Sequence, residues 1–228
     1  MAKNKNINPL ITIEKSKSVI SEKFRGIRTN ILFSTAENDV QTIVFTSEKP
    51  TAGKSTISAN VAITYAQAGY KTLLVDGDMR KPSQHYLFNT DNMDGFSNLI
   101  INKTDYNKAI HKTDIVNLEL LTSGPIPPNP SELIGSEKSL EVFEYLRSEY
   151  DFIIIDTPPV NTVTDAQLFS EIAKYVVYVV DVQKNDRNAI KKGKELIEKA
   201  GAKILGVVLN KAPEDKSSSY YYYYGKDK

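Results

Sequence analysis

Gly53, Lys54 and Ser55 follow one another inside Ser47-Glu48-Lys49-Pro50-Thr51-Ala52-Gly53-Lys54-Ser55-Thr56, between an apolar run at Thr42 to Thr46 and a helical pattern at Ser55 to Ala68. A phosphate loop belongs at such a strand-to-helix junction. Main-chain amides at the helix start can surround phosphate oxygens, with Thr56 in the same first turn. Lys54 can neutralise β- and γ-phosphate charge, and the Ser55 hydroxyl can ligate Mg²⁺. Glu48 stands where the full Gly-x-x-x-x-Gly-Lys-Ser pattern has its first glycine. The short motif therefore needs support from elsewhere in the chain.

Support comes from two further strand ends. Leu73-Leu74-Val75-Asp76-Gly77-Asp78-Met79-Arg80 sets two carboxylates and a guanidinium after an apolar run, and Phe152-Ile153-Ile154-Ile155-Asp156 ends a second run in another carboxylate. Such acids can hold Mg²⁺ directly or through water, and can place a hydroxyl in line with a γ-phosphate. Each aspartate alone is as ordinary as a turn or a cap. Three strand ends that each supply a different part of one phosphate–metal site are not.

The elements that must position these residues alternate. Strand-like runs at Thr42 to Thr46, Lys71 to Val75, Leu118 to Leu121, Phe152 to Ile155, Tyr175 to Val180 and Ile204 to Leu209 are interleaved with helical patterns. The helices are expected at Val19 to Phe33, Ser55 to Ala68, Ser139 to Arg147, Asp165 to Ile172 and Asp186 to Ala200, with a short one at Tyr106 to Ile110. Gly69 and Gly201 are placed to stop two of them. Crossovers of helical length favour an α/β fold: a mostly parallel central sheet with helices on both faces and ligands outside the strands' carboxyl ends. In the first helix Ile20, Phe24, Ile27 and Ile31 form an apolar stripe expected to face inward. Glu22, Arg25 and Arg28 form a charged stripe beside it.

With 29 Lys+Arg against 28 Asp+Glu, bulk charge gives no reason to expect nucleic acid as a partner. The chain has no cysteine, which excludes thiolate chemistry, and its two separated histidines, His85 and His111, make no metal or general-base pair. No apolar run approaches the ~18 residues of a bilayer span, so a membrane role would work through a partner. The chain is expected to divide into a domain over residues 1–216 and a flexible tail over 217–228, in which Tyr220, Tyr221, Tyr222, Tyr223 and Tyr224 are consecutive.

Taken together, these motifs closely resemble the cytoplasmic bacterial tyrosine kinases of capsule and exopolysaccharide systems. Gly53-Lys54-Ser55 is similar to that family's Walker A core, Val75-Asp76-Gly77-Asp78-Met79-Arg80 to its Walker A′ segment, and Ile153-Ile154-Ile155-Asp156 to its Walker B strand. Glu22-Lys23-Phe24-Arg25-Gly26-Ile27-Arg28 resembles the family's assembly motif, which implies a homo-oligomer packed as a ring. The tail resembles its autophosphorylated tyrosine cluster. The resemblance implies ATP and Mg²⁺ as cofactors, protein tyrosines as substrates, and transfer to the tail between chains. It also implies a separate transmembrane activator that draws a cytoplasmic kinase to the inner face of the membrane.

The same resemblance suggests roles. Lys54 would stabilise phosphate charge; Ser55, Asp78 and Asp156 would hold Mg²⁺; Asp76 is the first candidate to accept or guide the tyrosine proton, with Asp78 the alternative. Arg80 would hold the incoming tail, orient an aspartate or pair locally. Asn210 is placed like a family residue that reads adenine, or as a cap. Asp165 is expected to cap the following helix. Lys49 matches a lysine of partition ATPases and stays outside the catalytic set. Two other functions share these motifs: a partition-type ATPase that transfers phosphate to water, and a nucleotide-sensing scaffold.

Overall fold

The computed structural model describes residues 9–36, 40–184 and 186–213; the expected tail boundary and the tyrosines at 220–224 lie outside them. One seven-stranded sheet contains β1 (Thr42–Ser47), β2 (Thr72–Asp76), β3 (Ile110–Lys112), β4 (Leu118–Leu121), β5 (Phe152–Asp156), β6 (Tyr175–Asp181) and β7 (Lys203–Asn210). The helices are α1 (Ile11–Glu14), α2 (Val19–Thr35), α3 (Lys54–Gln67), α4 (Gln84–Leu87), α5 (Phe96–Ile100), α6 (Tyr106–Ala109), α7 (Pro130–Ile134), α8 (Glu137–Glu149), α9 (Asp165–Ala173) and α10 (Arg187–Lys199). Among the described residues, no helix is long and apolar enough to cross a membrane.

Strand order is β3-β4-β2-β5-β1-β6-β7, parallel except for the β3–β4 pair. This is the mostly parallel sheet that the alternating runs imply. Its central strands are buried on both faces, so they read as unbroken apolar runs. In β5 the side chains still alternate. Ile153 and Ile155 join the core cluster shared with α8 and α9, whereas Ile154 joins the one shared with α3. All three are fully buried, each worth roughly 1.5–3 kcal/mol of transfer free energy.

Local chemistry sets the helix ends. Ser18, Ser136 and Asp186 accept main-chain N–H bonds as caps of α2, α8 and α10, and Pro130 opens α7 where its missing N–H costs nothing. Gly69 and Gly201 adopt positive φ just beyond α3 and α10.

Three expectations need correction. The short helix stops at Ala109, because Ile110 begins β3, which lies antiparallel to β4. In α2, Ile31 is buried and Phe24 and Ile27 pack partly against the core, but Ile20 is 54% exposed: the stripe turns inward only along its later half. Asp165 is not a cap. It is the first residue of α9, its side chain engaged elsewhere, and Thr164 occupies the cap position.

The charged stripe of α2 is held within the chain. Glu22 accepts from Arg25, Arg25 Nη2 also donates to Ser16 O at 2.8 Å, and Arg28 Nη1 donates to Thr64 O in α3 at 2.6 Å.

Candidate nucleotide and magnesium site

The chain leaves β1 for β2 on one side and reaches β6 on the other, so the carboxyl end of β1 faces a topological switch point, where open α/β sheets bind ligands. Adjacent strands bring the acids together. Asp76 and Asp156 are direct register partners on β2 and β5, and Phe45 of β1 flanks Asp156.

Beyond β1 the loop turns through positive φ at Thr51 and again at Gly53, which precedes α3. Only glycine fits at 53. A Cβ there would stand 2.2 Å from Asn210 Nδ2. The loop is gripped from the end of β7: Asn210 Nδ2 donates to Ala52 O at 2.7 Å and Lys211 Nζ to Thr51 O at 2.8 Å. Lys211 also pairs with Asp181 at 2.9 Å, and this ammonium holds the Asp181 carboxyl below its ordinary range. Asn210 therefore spends an amide donor on the loop. With carbonyls fastened outward at two successive residues, amides of the turn and of the first turn of α3, where Thr56 lies half-buried, are left for phosphate oxygens.

At the centre is Lys54. Its Nζ lies 3.1 Å from Ser55 Oγ, 3.3 Å from Asp78 Oδ2 and 3.2 Å from Asp156 Oδ1. Burial works against the ammonium, but Asp156, Asp78 and Asp76 together raise its proton affinity above the ordinary value. The three residues expected to hold Mg²⁺ thus offer hard oxygens to a single point. Among the described residues, no three carboxylates or imidazoles form a cage. Two carboxylates, a hydroxyl and incoming phosphates are the usual surroundings of Mg²⁺, so the donor set fits.

Asp76 is fully enclosed. Its Oδ2 accepts from the main-chain N–H groups of Ser83 (2.8 Å) and Gln84 (2.9 Å), and its Oδ1 from that of Asp78 (3.3 Å). Burial, with the neighbouring Asp156 charge, pushes its carboxyl up to about 7. Burial also raises Asp78, which Lys54 opposes, and Asp78 keeps a slight opening to solvent.

Arg80 is paired within the chain. Its Nε and Nη2 meet the two oxygens of buried Asp165 at 2.9 and 3.0 Å, and Ser131 Oγ donates to the same carboxylate at 2.7 Å. Of the roles open to it, local pairing is the one formed. The pair ties the β2 loop to α7 and α9. Lys49 is engaged elsewhere, donating to Lys184 O and standing 3.6 Å from buried Glu48 and 4.0 Å from Asp181.

Gln84 was not visible in the sequence, yet it organises the cluster. Fully buried, it donates from Nε2 to Asp156 Oδ2 at 2.9 Å and to Ser55 O at 3.1 Å, while its main-chain N–H holds Asp76. The only sequence signal is a polar Ser83-Gln84 pair a few residues past Asp78; nothing local says that it folds back. Asp181 and Lys211 were missed for the same reason.

The chain matches the family model for an AAA domain over residues 40–205. It is 60% identical over its full length to all of the Staphylococcus aureus protein assigned as tyrosine-protein kinase CapB. The crystal structure of the chimerical protein CapA2B2, also 60% identical, superposes with a TM-score of 0.89 over 91% of this chain and 92% of that one. The septum site-determining protein MinD of Pyrococcus horikoshii, complexed with Mg-ADP, is 25% identical with a TM-score of 0.66, over 78% and 72% of the two chains. A phosphate loop, three converging strand-end aspartates and this degree of likeness place the chain in the bacterial tyrosine kinases of the CapB kind, ATP-dependent enzymes that regulate capsule and exopolysaccharide biosynthesis.

Proposed function

We propose that this kinase transfers the γ-phosphoryl group of ATP to tyrosines among Tyr220, Tyr221, Tyr222, Tyr223 and Tyr224 of a neighbouring copy, within a ring. The observation that carries the reading is the meeting of Lys54 with Ser55, Asp78 and Asp156 at 3.1–3.3 Å. Amides of the phosphate loop would hold the triphosphate, and Lys54 would turn to its β- and γ-oxygens. Ser55, Asp78 and Asp156 would hold Mg²⁺, which supplies positive charge against that developing on the transferring group.

A phenol oxygen attacks the γ-phosphorus and the bond to the β-γ bridging oxygen breaks, leaving ADP. The phenol's proton passes to a carboxylate. Asp76 is the candidate for that role, and it also steadies the magnesium ligand Asp78 by accepting from the Asp78 N–H. Little covalent chemistry is asked of the protein. Placement and charge supply most of the rate. Arg80 acts as a positioning residue through Asp165, and Asn210 holds the loop beside the nucleotide.

The Glu22, Arg25 and Arg28 helix is proposed as the contact between copies. A ring raises the effective concentration of one chain's tail at the next chain's site. A separate membrane activator is proposed from the likeness to CapA2B2, whose name joins two components.

The test incubates wild type and Lys54→Met with ATP and Mg²⁺, with and without activator fragments, and maps phosphotyrosine by mass spectrometry. Transfer should fall by about 10³-fold or more in the variant. Tail phosphorylation that persists after contaminating kinases are removed would overturn the site. Phosphate released to water, with no tyrosine modified, would favour a partition-type ATPase instead.

A further inference from the structure

Each acid around Lys54 divides its two oxygens in the same way. Asp78 gives Oδ1 to the Lys81 N–H at 3.1 Å and Oδ2 to Lys54; Asp156 gives Oδ2 to Gln84 Nε2 at 2.9 Å and Oδ1 to Lys54. The oxygens left for a metal are therefore the ones that the ammonium holds. Ser55 Oγ, the third donor, is on the same Nζ at 3.1 Å. One protein cation sits at the common point of the metal's three protein ligands, in a pocket where Lys54, Asp78 and Asp156 are nearly or fully buried and Ser55 is half-buried.

From this we infer that Lys54 excludes free divalent cations from the site, and that Mg²⁺ gains its protein ligands only as nucleotide phosphates draw the ammonium away. This rests on the site reading given above. A divalent ion entering alone would have to displace a buried ammonium from two carboxylates with nothing to receive it. It would also meet the positive charge at close range, in surroundings that screen charge poorly. Phosphate oxygens remove both obstacles, because they accept the ammonium and supply the ligands that two carboxylates and a hydroxyl lack. The protein then takes up metal and nucleotide together, and cellular Mg²⁺ does not load the site in advance.

The inference is specific in sign: removing the lysine should create metal binding. Nucleotide-free wild type, Lys54→Met and Lys54→Arg are titrated with Mn²⁺, and bound metal is read from loss of the free-ion electron paramagnetic resonance signal. Lys54→Met should bind Mn²⁺ at least tenfold more tightly than wild type, and Lys54→Arg, which keeps the charge, should stay as weak as wild type. Adding Asp156→Asn to Lys54→Met should abolish the gain, showing that the ion sits on these carboxylates. Should Lys54→Met fail to fold, Lys54→Gln takes its place, its amide keeping a donor for one acid.

Equal Mn²⁺ affinity in wild type and the neutral variants would overturn the exclusion. So would a gain that survives Asp156→Asn. Loss of tyrosine transfer in Lys54→Met without any gain of Mn²⁺ binding leaves the kinase site standing and removes only the exclusion.

Discussion

Two regions of the molecule are built from the same materials, acids and bases, and they behave differently. Around Lys54 each acid is at least nine-tenths buried and every carboxylate oxygen has a named donor. On α2, the Glu22 side chain is 56% exposed and bonds only the arginine one turn along. Burial makes the difference. In the first region a lost partner leaves a charge that water cannot reach, whereas in the second water replaces whatever is removed. The first arrangement fixes geometry, and the second leaves a surface available to another chain.

Breaking the buried side should cost most. Arg80→Ala strands the Asp165 carboxylate, which is wholly inaccessible. A loss of about 2 kcal/mol in urea melts is expected, short of the ~3–5 of a fully buried pair because the arginine itself is 39% exposed. Asp165→Asn should cost less, since an amide oxygen still accepts from Arg80 or Ser131. If both substitutions were neutral, the contrast between the regions would fail at its strongest point.

The next effect is one of pH. The Asp76 carboxyl is pushed up to about 7 in the folded chain, from an ordinary value of 3.8. A raised carboxyl stabilises the fold fully below the unfolded value, and that contribution is lost as pH rises toward 7. Wild-type stability should therefore carry a component that declines between about pH 4 and 7, and Asp76→Asn should flatten it. Urea midpoints at pH 5 and pH 7.5 for the two proteins read this directly; identical slopes would show that burial does not govern the group.

Smallest is the exposed side. Glu22→Ala with Arg25→Ala should change the stability of the isolated chain by no more than about 0.5 kcal/mol, while lowering the mass of assembled species in light scattering. Arg28→Ala is the sharpening case. Its guanidinium already bonds Thr64 O, so it should cost more stability than the other two, and a loss of assembly from that change alone would not isolate an interface.

Much of this was legible beforehand, for physical reasons. Strands covered on both faces must be apolar throughout, so β1, β2, β5 and β6 announced themselves, and the carboxylates at two of their ends inherited a place from them. What escaped depends on partners far away in sequence. Gln84 organises the cluster only because α4 folds back over β2, and Arg80 finds Asp165, 85 positions further on, only after the chain between them is packed. β3 has three residues, none fully buried, too few for an alternating pattern to emerge. Ile20 looked like core because spacing reports which face a residue shares, not whether anything covers that face.

Asn210 and Lys211 lie within about ten residues of Tyr220, and they are also the side chains that grip Thr51 and Ala52. The last strand of the sheet and the cradle for the triphosphate are thus fastened to each other, so a change that displaces the end of β7 would reach the phosphate loop directly.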